Sequence, residues 1–271
     1  MNRLILFIII LLLLLFISLV LRNFYKKNNK TKNKKYNLKK DGITVIPKIL
    51  SDKQADTVRQ LVEDGYPMEA KSFILGSEEV KNRIKATLGP HYEFHDYIFV
   101  IKKSQIRACH RDYNGDFFNA TQKNPSYTII IYIEDMERCL DVIPGSHRHV
   151  TKNVLNITDI SESIICKKGD ALLFNANLIH SGSLNKKESN PRIQMKISHI
   201  DDRDDTLNFF QQYNKTLNKE SNQPKWAKNL QKHLSCIAPG ISQLTQKFDS
   251  HKNRDANNII SKLFYAKLEN I

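Results

Sequence analysis

A chain of 271 residues, 41% hydrophobic and 26% charged, is long enough to close one large core, and its composition excludes a disordered or fibrous protein. The net charge of +14 suggests nucleic acid, but residues 1–40 hold ten of the 42 Lys/Arg and no acid, leaving 32 Lys/Arg against 28 Asp/Glu in 41–271. The folded part is nearly balanced, so no nucleic-acid partner is expected.

Leu4 to Leu21 is an unbroken run of Leu, Ile, Phe and Val except for Ser18. At 1.5 Å per residue such a run reaches about 27 Å, close to the hydrocarbon thickness of a bilayer. A cleaved signal peptide has a shorter apolar region and a small-residue cleavage site, whereas this run ends at Arg22-Asn23-Phe24-Tyr25-Lys26-Lys27. Residues 1–22 therefore read as a single-pass transmembrane anchor and 23–40 as a basic linker able to lie against anionic headgroups. Only Arg3 precedes the run, whereas nine Lys/Arg follow it before residue 41, which places the carboxyl side in the cytosol. Cys109, Cys139, Cys166 and Cys236 are scattered, fit a reducing compartment and suggest no disulfide framework. The acceptor sequons at Asn119, Asn156 and Asn214 matter only if that topology is reversed.

The domain opens on a short strand, Gly42 to Pro47. Ser51 with Gln54 forms a capping box, and Ala55, Val58, Leu61 and Val62 continue at helical spacing, predicting a helix over 52–64. A second helix is predicted near 77–88. From 91 the period becomes two: 91–102, 106–112, 127–134, 163–166, 171–174 and 192–199 read as strands, with turn signals at Asn114-Gly115, Asn124-Pro125 and Pro144-Gly145. Many short strands with turns between them predict a mainly β fold with flanking helices, a sandwich or jelly-roll barrel. The chemistry-bearing domain is expected over 41–204, and residues 205–271 read as a C-terminal helical extension through the spacing of Ile259, Ile260, Leu263 and Phe264.

Within the strand ending at 112, His110 and Asp112 share a face while Arg111 points away. An imidazole and a carboxylate so placed are two legs of the two-His-one-carboxylate triad that holds non-haem Fe(II) with open positions. His-Arg-Asp also occurs in kinase catalytic loops, but no Gly-rich loop, strand lysine and Asp-Phe-Gly follow in order. His180, in a turn-rich stretch between the strand at 171–174 and the one opening at Arg192, is the third leg. Strands distant in sequence meet face to face in a double-stranded barrel. Arg192 follows twelve residues later, and its planar guanidinium suits a carboxylate. A triad plus such an arginine is what a 2-oxo-dicarboxylic acid requires. The second pair, His199 and Asp201, has no such sequel.

The joint order of several segments resembles the phytanoyl-CoA dioxygenase type of Fe(II)/2-oxoglutarate oxygenases. These segments are Gly42 to Ser51, His110-Arg111-Asp112, Tyr132 to Met136, Cys139 to His147, Gly169 to Phe174, His180 with Ser183 and Asn185, and Arg192. The resemblance implies a double-stranded β-helix, Fe(2+) at His110, Asp112 and His180, and 2-oxoglutarate held by Arg192. Tyr97 and Thr128, on strands flanking the site, are candidate cosubstrate donors, with packing as the alternative role. The resemblance also implies O2 as co-reactant, ascorbate as a possible reductant, and a structural role for the turn carrying His147, with His149 beside it. Because Asp112 is a carboxylate, no ligand position is left for halide, and hydroxylation is the implied outcome. A membrane tether favours a lipid or acyl substrate over another small molecule, a sugar or a protein. A barrel that binds without turnover is the competing class, and oligomeric state is not legible.

Overall fold

The computed structural model describes residues 3–28, 34–103, 109–112, 123–148, 161–183, 185, 189–203, 213–217, 224 and 226–227. Helix α1 runs over Arg3–Asn28, and its side chains from Ile5 to Ile17 are exposed apolar groups. Those side chains are described only over 5–18, about 21 Å of helix. Among the described residues no helix is long and apolar enough to cross a membrane.

A short helix α2 (Leu38–Asp41) is capped by the Asn37 side chain and ends on Gly42, whose φ of 78° lies in the left-handed region. A Cβ there would collide with the His147 ring, so glycine is required twice over, by conformation and by space. Strand β1 (Ile43–Ile46) leads to α3 (Asp52–Glu63), where Ser51 and Gln54 form the capping box expected from sequence. Helix α4 (Pro67–Gly76), which sequence reading missed, begins with proline in its first turn, and α5 (Glu78–Leu88) follows as expected.

Among the described residues ten strands form two sheets. The larger has the order β1-β7-β4-β9-β3-β10, with β2 (Tyr92–Phe94) also paired to β9. Its members are β3 (Tyr97–Lys103), β4 (Tyr127–Tyr132), β7 (Ala171–Asn175), β9 (Ser189–His199) and β10 (Tyr213–Leu217). The smaller sheet, β6-β5-β8, comprises β5 (Leu140–Val142), β6 (Glu162–Ile164) and β8 (His180–Gly182). Neither β5 nor β8 was anticipated, because three residues are too few to show a period of two.

The period-two pattern assigns each face of the larger sheet. Ile98, Val100, Ile129, Ile131, Leu173, Ile193, Met195 and Ile197 pack against Ala55, Val58, Val62, Ala70, Ile74, Val80 and Ile84 of the three helices. Each fully buried aliphatic side chain of this kind contributes roughly 1.5–3 kcal/mol. The alternate residues Ile130, Tyr132, Leu172 and Phe174 meet Leu140, Val142, Ile164 and Cys166 of the smaller sheet and its flanks. The polar alternates Tyr97, Thr128, Arg192 and Lys196 share that inner face.

Two expectations are corrected. Part of the C-terminal stretch read as helical is a strand: β10 runs parallel to β3, with Tyr213 opposite Tyr97. Pairing with the open edge of β3 outweighs local propensity, a tertiary effect that sequence spacing does not carry. The rest of 205–271 lies, but for a few residues, outside the described residues. Likewise Cys109 is disulfide-bonded, whereas Cys139 and Cys166 are free. Bridging depends on proximity in space, which scattered positions do not reveal.

Candidate metal centre

His110 and His180 are not on facing strands. They form an antiparallel bridge, each backbone N–H donating to the other's carbonyl at 2.9 Å. Residues opposed in this way project to the same face, and so does Asp112, two positions beyond His110. Three side chains from positions 70 apart in sequence thereby converge, with one ligand atom from each lying within 4.8 Å of the others. The imidazole centroids are 4.4 Å apart, and Asp112 Oδ1 stands 3.6 Å from His110 Nε2 and 3.5 Å from His180 Nε2. A metal about 2.1 Å from each ligand needs only a small contraction of this cluster.

Hydrogen bonds fix the donor atoms. His180 Nδ1 lies 3.0 Å from the Leu178 carbonyl, which places the proton on Nδ1 and leaves the Nε2 lone pair directed at Asp112 and His110. The Phe174 ring, 4.7 Å from the His180 ring, closes one side. Burial, reinforced by His110, pushes the His180 imidazole down to about 4, the neutral form that a metal requires. Burial alone would raise the Asp112 carboxyl, but Lys196, His180 and His110 hold it well below the usual carboxylate range. The ligand set is two imidazole nitrogens and one carboxylate oxygen, a combination suited to Fe(II).

Asp112 Oδ2 is held separately. It accepts from Thr128 Oγ1 at 2.7 Å and from Lys196 Nζ at 2.7 Å, and Lys196 also donates to Thr128 Oγ1 at 2.7 Å. A hydroxyl has one proton, and that of Thr128 goes to Asp112, so Thr128 supports the carboxylate rather than presenting a donor to a cosubstrate. Tyr97 is buried beside it, its ring centroid 5.9 Å from Lys196 Nζ.

Arg192 is buried and stands opposite Tyr132 on the neighbouring strand. Its Nη1 donates to the Asn190 carbonyl at 3.0 Å. Burial lowers the guanidinium's affinity for its proton, with Tyr132 and Cys139 opposing. Beside it the Tyr132 hydroxyl is fully buried and has no hydrogen-bond partner. A buried hydroxyl without a partner costs on the order of 1–3 kcal/mol, and an anionic oxygen placed between it and Arg192 would remove that cost. Arg192 and the Tyr132 hydroxyl are donors of the kind that a carboxylate accepts from.

Among the described residues the remaining histidines form no second metal-capable group. His199 Nδ1 lies 3.5 Å from Asp201 Oδ2, but Asp201 is exposed, and among the described residues His110, Asp112 and His180 are the one metal-capable group. His147 Nε2 stands 3.3 Å from the Lys39 carbonyl and packs on Gly42, a structural role. His149, Asn119 and Asn156 lie outside the described residues. Arg111 points away from the metal ligands and donates to the Ser146 and Asn177 carbonyls, tying the His110 segment to the Pro144-Gly145 turn.

Sequence reasoning missed Lys196 and the role of Tyr132. The signal was present for the first: Arg192, Gln194 and Lys196 alternate with Ile193, Met195 and Ile197, so both cations share the inner face.

Residues 23–193 match the family model described as Phytanoyl-CoA dioxygenase (PhyH). Among solved structures, the chain is similar to the non-heme alpha ketoglutarate dependent epimerase SnoN from nogalamycin biosynthesis, at 14% identity and TM-score 0.48, over 60% of this chain and 78% of that one. It is also similar to HygX from Streptomyces hygroscopicus with nickel and 2-oxoglutarate bound, at 13% identity and TM-score 0.46, over 60% and 84% of the two chains. No curated protein matches the sequence.

Proposed function

Because the chain belongs to the phytanoyl-CoA dioxygenase family, whose model covers residues 23–193, we propose that it is a membrane-anchored hydroxylase acting on an acyl or other membrane-associated small molecule. It is a 2-oxoglutarate-dependent non-haem iron enzyme by family. The observation that carries the reading is the convergence of His110, Asp112 and His180, with their ligand atoms within 4.8 Å. We read the two sheets as the halves of a double-stranded β-helix, with the reaction between them.

The residues have separable tasks. His110, Asp112 and His180 would hold Fe(II), and Arg192 with Tyr132 would hold the distal carboxylate of 2-oxoglutarate. Thr128 orients Asp112, and Tyr97 walls the space beside it. Bound iron and 2-oxoglutarate would supply, with O2 as the oxidant, the decarboxylation to succinate and CO2 and the oxidising power for hydroxylation. The buried inner face of the larger sheet excludes water from that chemistry.

The exposed apolar side chains of α1 support the anchor, since such a surface is unfavourable in water. Tethering keeps the site near lipid, which favours an acyl substrate. Flanking lysines favour a cytosolic domain, while the Cys109 disulfide is a bond that oxidising compartments sustain. We propose the cytosolic side on the charge asymmetry, and Asn119, Asn156 and Asn214 report on it. They stay unglycosylated in a eukaryotic cell, and a gel shift removed by endoglycosidase and by Asn→Gln replacement overturns the topology.

The activity is tested by supplying Fe(II), 2-oxoglutarate, O2 and ascorbate to purified protein with lipid extracts. Succinate release and a lipid product gaining one oxygen atom are expected. Iron binding without succinate under any substrate would leave a binding module instead.

A further inference from the structure

Strand β9 places two buried cations on its inner face, Arg192 at 5% and Lys196 at 3% exposure. The distal carboxylate of a cosubstrate requires one. Lys196 is spent elsewhere: its Nζ is 2.7 Å from Asp112 Oδ2, the oxygen turned away from both imidazoles. The ammonium is thus separated by one carboxylate group from the oxygen that faces the histidines. Other groups facing it are Thr128 Oγ1 at 2.7 Å and the Tyr97 ring at 5.9 Å.

A salt bridge in this position has two consequences. Donation from Lys196 and Thr128 occupies Oδ2, so Asp112 offers a metal Oδ1 alone and open coordination positions are preserved. The fixed positive charge also withdraws electron density from the ligand and opposes accumulation of charge at the metal in a buried, weakly screened site. Such a charge disfavours the trivalent ion more than the divalent one. We propose that Lys196 is a positioning residue that keeps iron in this site ferrous. The inference rests on the iron site proposed above and concerns the charge around it rather than the ligands themselves.

The experiment is an anaerobic redox titration of the iron-loaded protein, with a mediator donating one electron to Fe(III) to give Fe(II), followed by the ferric electron paramagnetic resonance signal. Lys196→Met and Lys196→Gln are compared with wild type and with Lys196→Arg. At fixed poise the ferrous-to-ferric ratio is expected to fall at least tenfold in the Met and Gln variants, about 59 mV for a one-electron couple. Lys196→Arg, which keeps the charge, stays within about threefold of wild type, the log-scale midpoint of that tenfold range. An unchanged ratio in both neutral variants overturns the inference, as does an Arg variant shifted as far as Met. Loss of iron in both neutral variants also overturns it, because then Lys196 builds the site rather than tuning it. Wild-type protein that binds no Fe(II) instead defeats the functional reading and is seen before any variant is compared.

Discussion

Changing Arg192 to Met keeps the buried stem and removes the charged fork. In the free protein that fork is buried and bonded to the Asn190 carbonyl at 3.0 Å. Its removal gives up that hydrogen bond while relieving a buried charge, so folding is expected to survive. The loss falls on cosubstrate binding. A hydrogen bond to a charged group contributes roughly 1.5–3 kcal/mol, and the partner carboxylate left in a dry pocket adds to that. Since about 1.4 kcal/mol is tenfold, the apparent affinity for 2-oxoglutarate should fall at least ten- to a hundredfold. Lysine at the same position rescues only partly, because a point charge does not reproduce the planar fork. Tyr132→Phe removes a neutral donor of roughly 0.5–1.5 kcal/mol and should weaken binding about two- to tenfold. Iron binding should hardly change in any of these variants, the three ligands being untouched. Calorimetric titration of anaerobic Fe(II)-protein with 2-oxoglutarate reads all of them. Wild-type affinity in the Met variant would remove Arg192 from the site, and wild-type affinity in Tyr132→Phe would leave its unpartnered hydroxyl unexplained.

His110→Ala should abolish Fe(II) binding and His199→Ala should leave it nearly intact, with folding checked by circular dichroism; equal loss in both refutes the choice between the two pairs. Stability of the metal-free protein should fall with pH below neutrality. His95 and His180 are lowered from 6.5 to about 4 by burial, so both take up a proton on unfolding between those values. Their contribution is complete above the unfolded value and is lost as pH falls towards 4, amounting to about 2 kcal/mol apiece by pH 5. Urea melts at about pH 7 and pH 5 check this, and His95→Gln should remove roughly half of the slope; a flat profile contradicts the assignment of neutral buried imidazoles.

Local chemistry determined much of this protein. Ser51 and Gln54 announce the start of α3, β-branched and aromatic runs announce β3 and β4, and alternation of Ile and Met with polar residues announces β9, because these signals act over a few neighbours. His110 and Asp112 were legible as a pair for the same reason: two residues apart on a strand share a face. The structure brings His180 beside that pair, but through a contact that the sequence did not suggest. A backbone bridge between His110 and His180 depends on strand register across 70 positions, and no local pattern encodes register at that separation. Lys196 shows the same division. Its face could be read from the alternation around it, but its partners, Asp112 and Thr128, come from other segments and meet it only in the assembled sheets. The pairing of β10 with β3 and the bond at Cys109 belong to the tertiary structure alone, since each joins groups by proximity in space after the chain has folded back on itself.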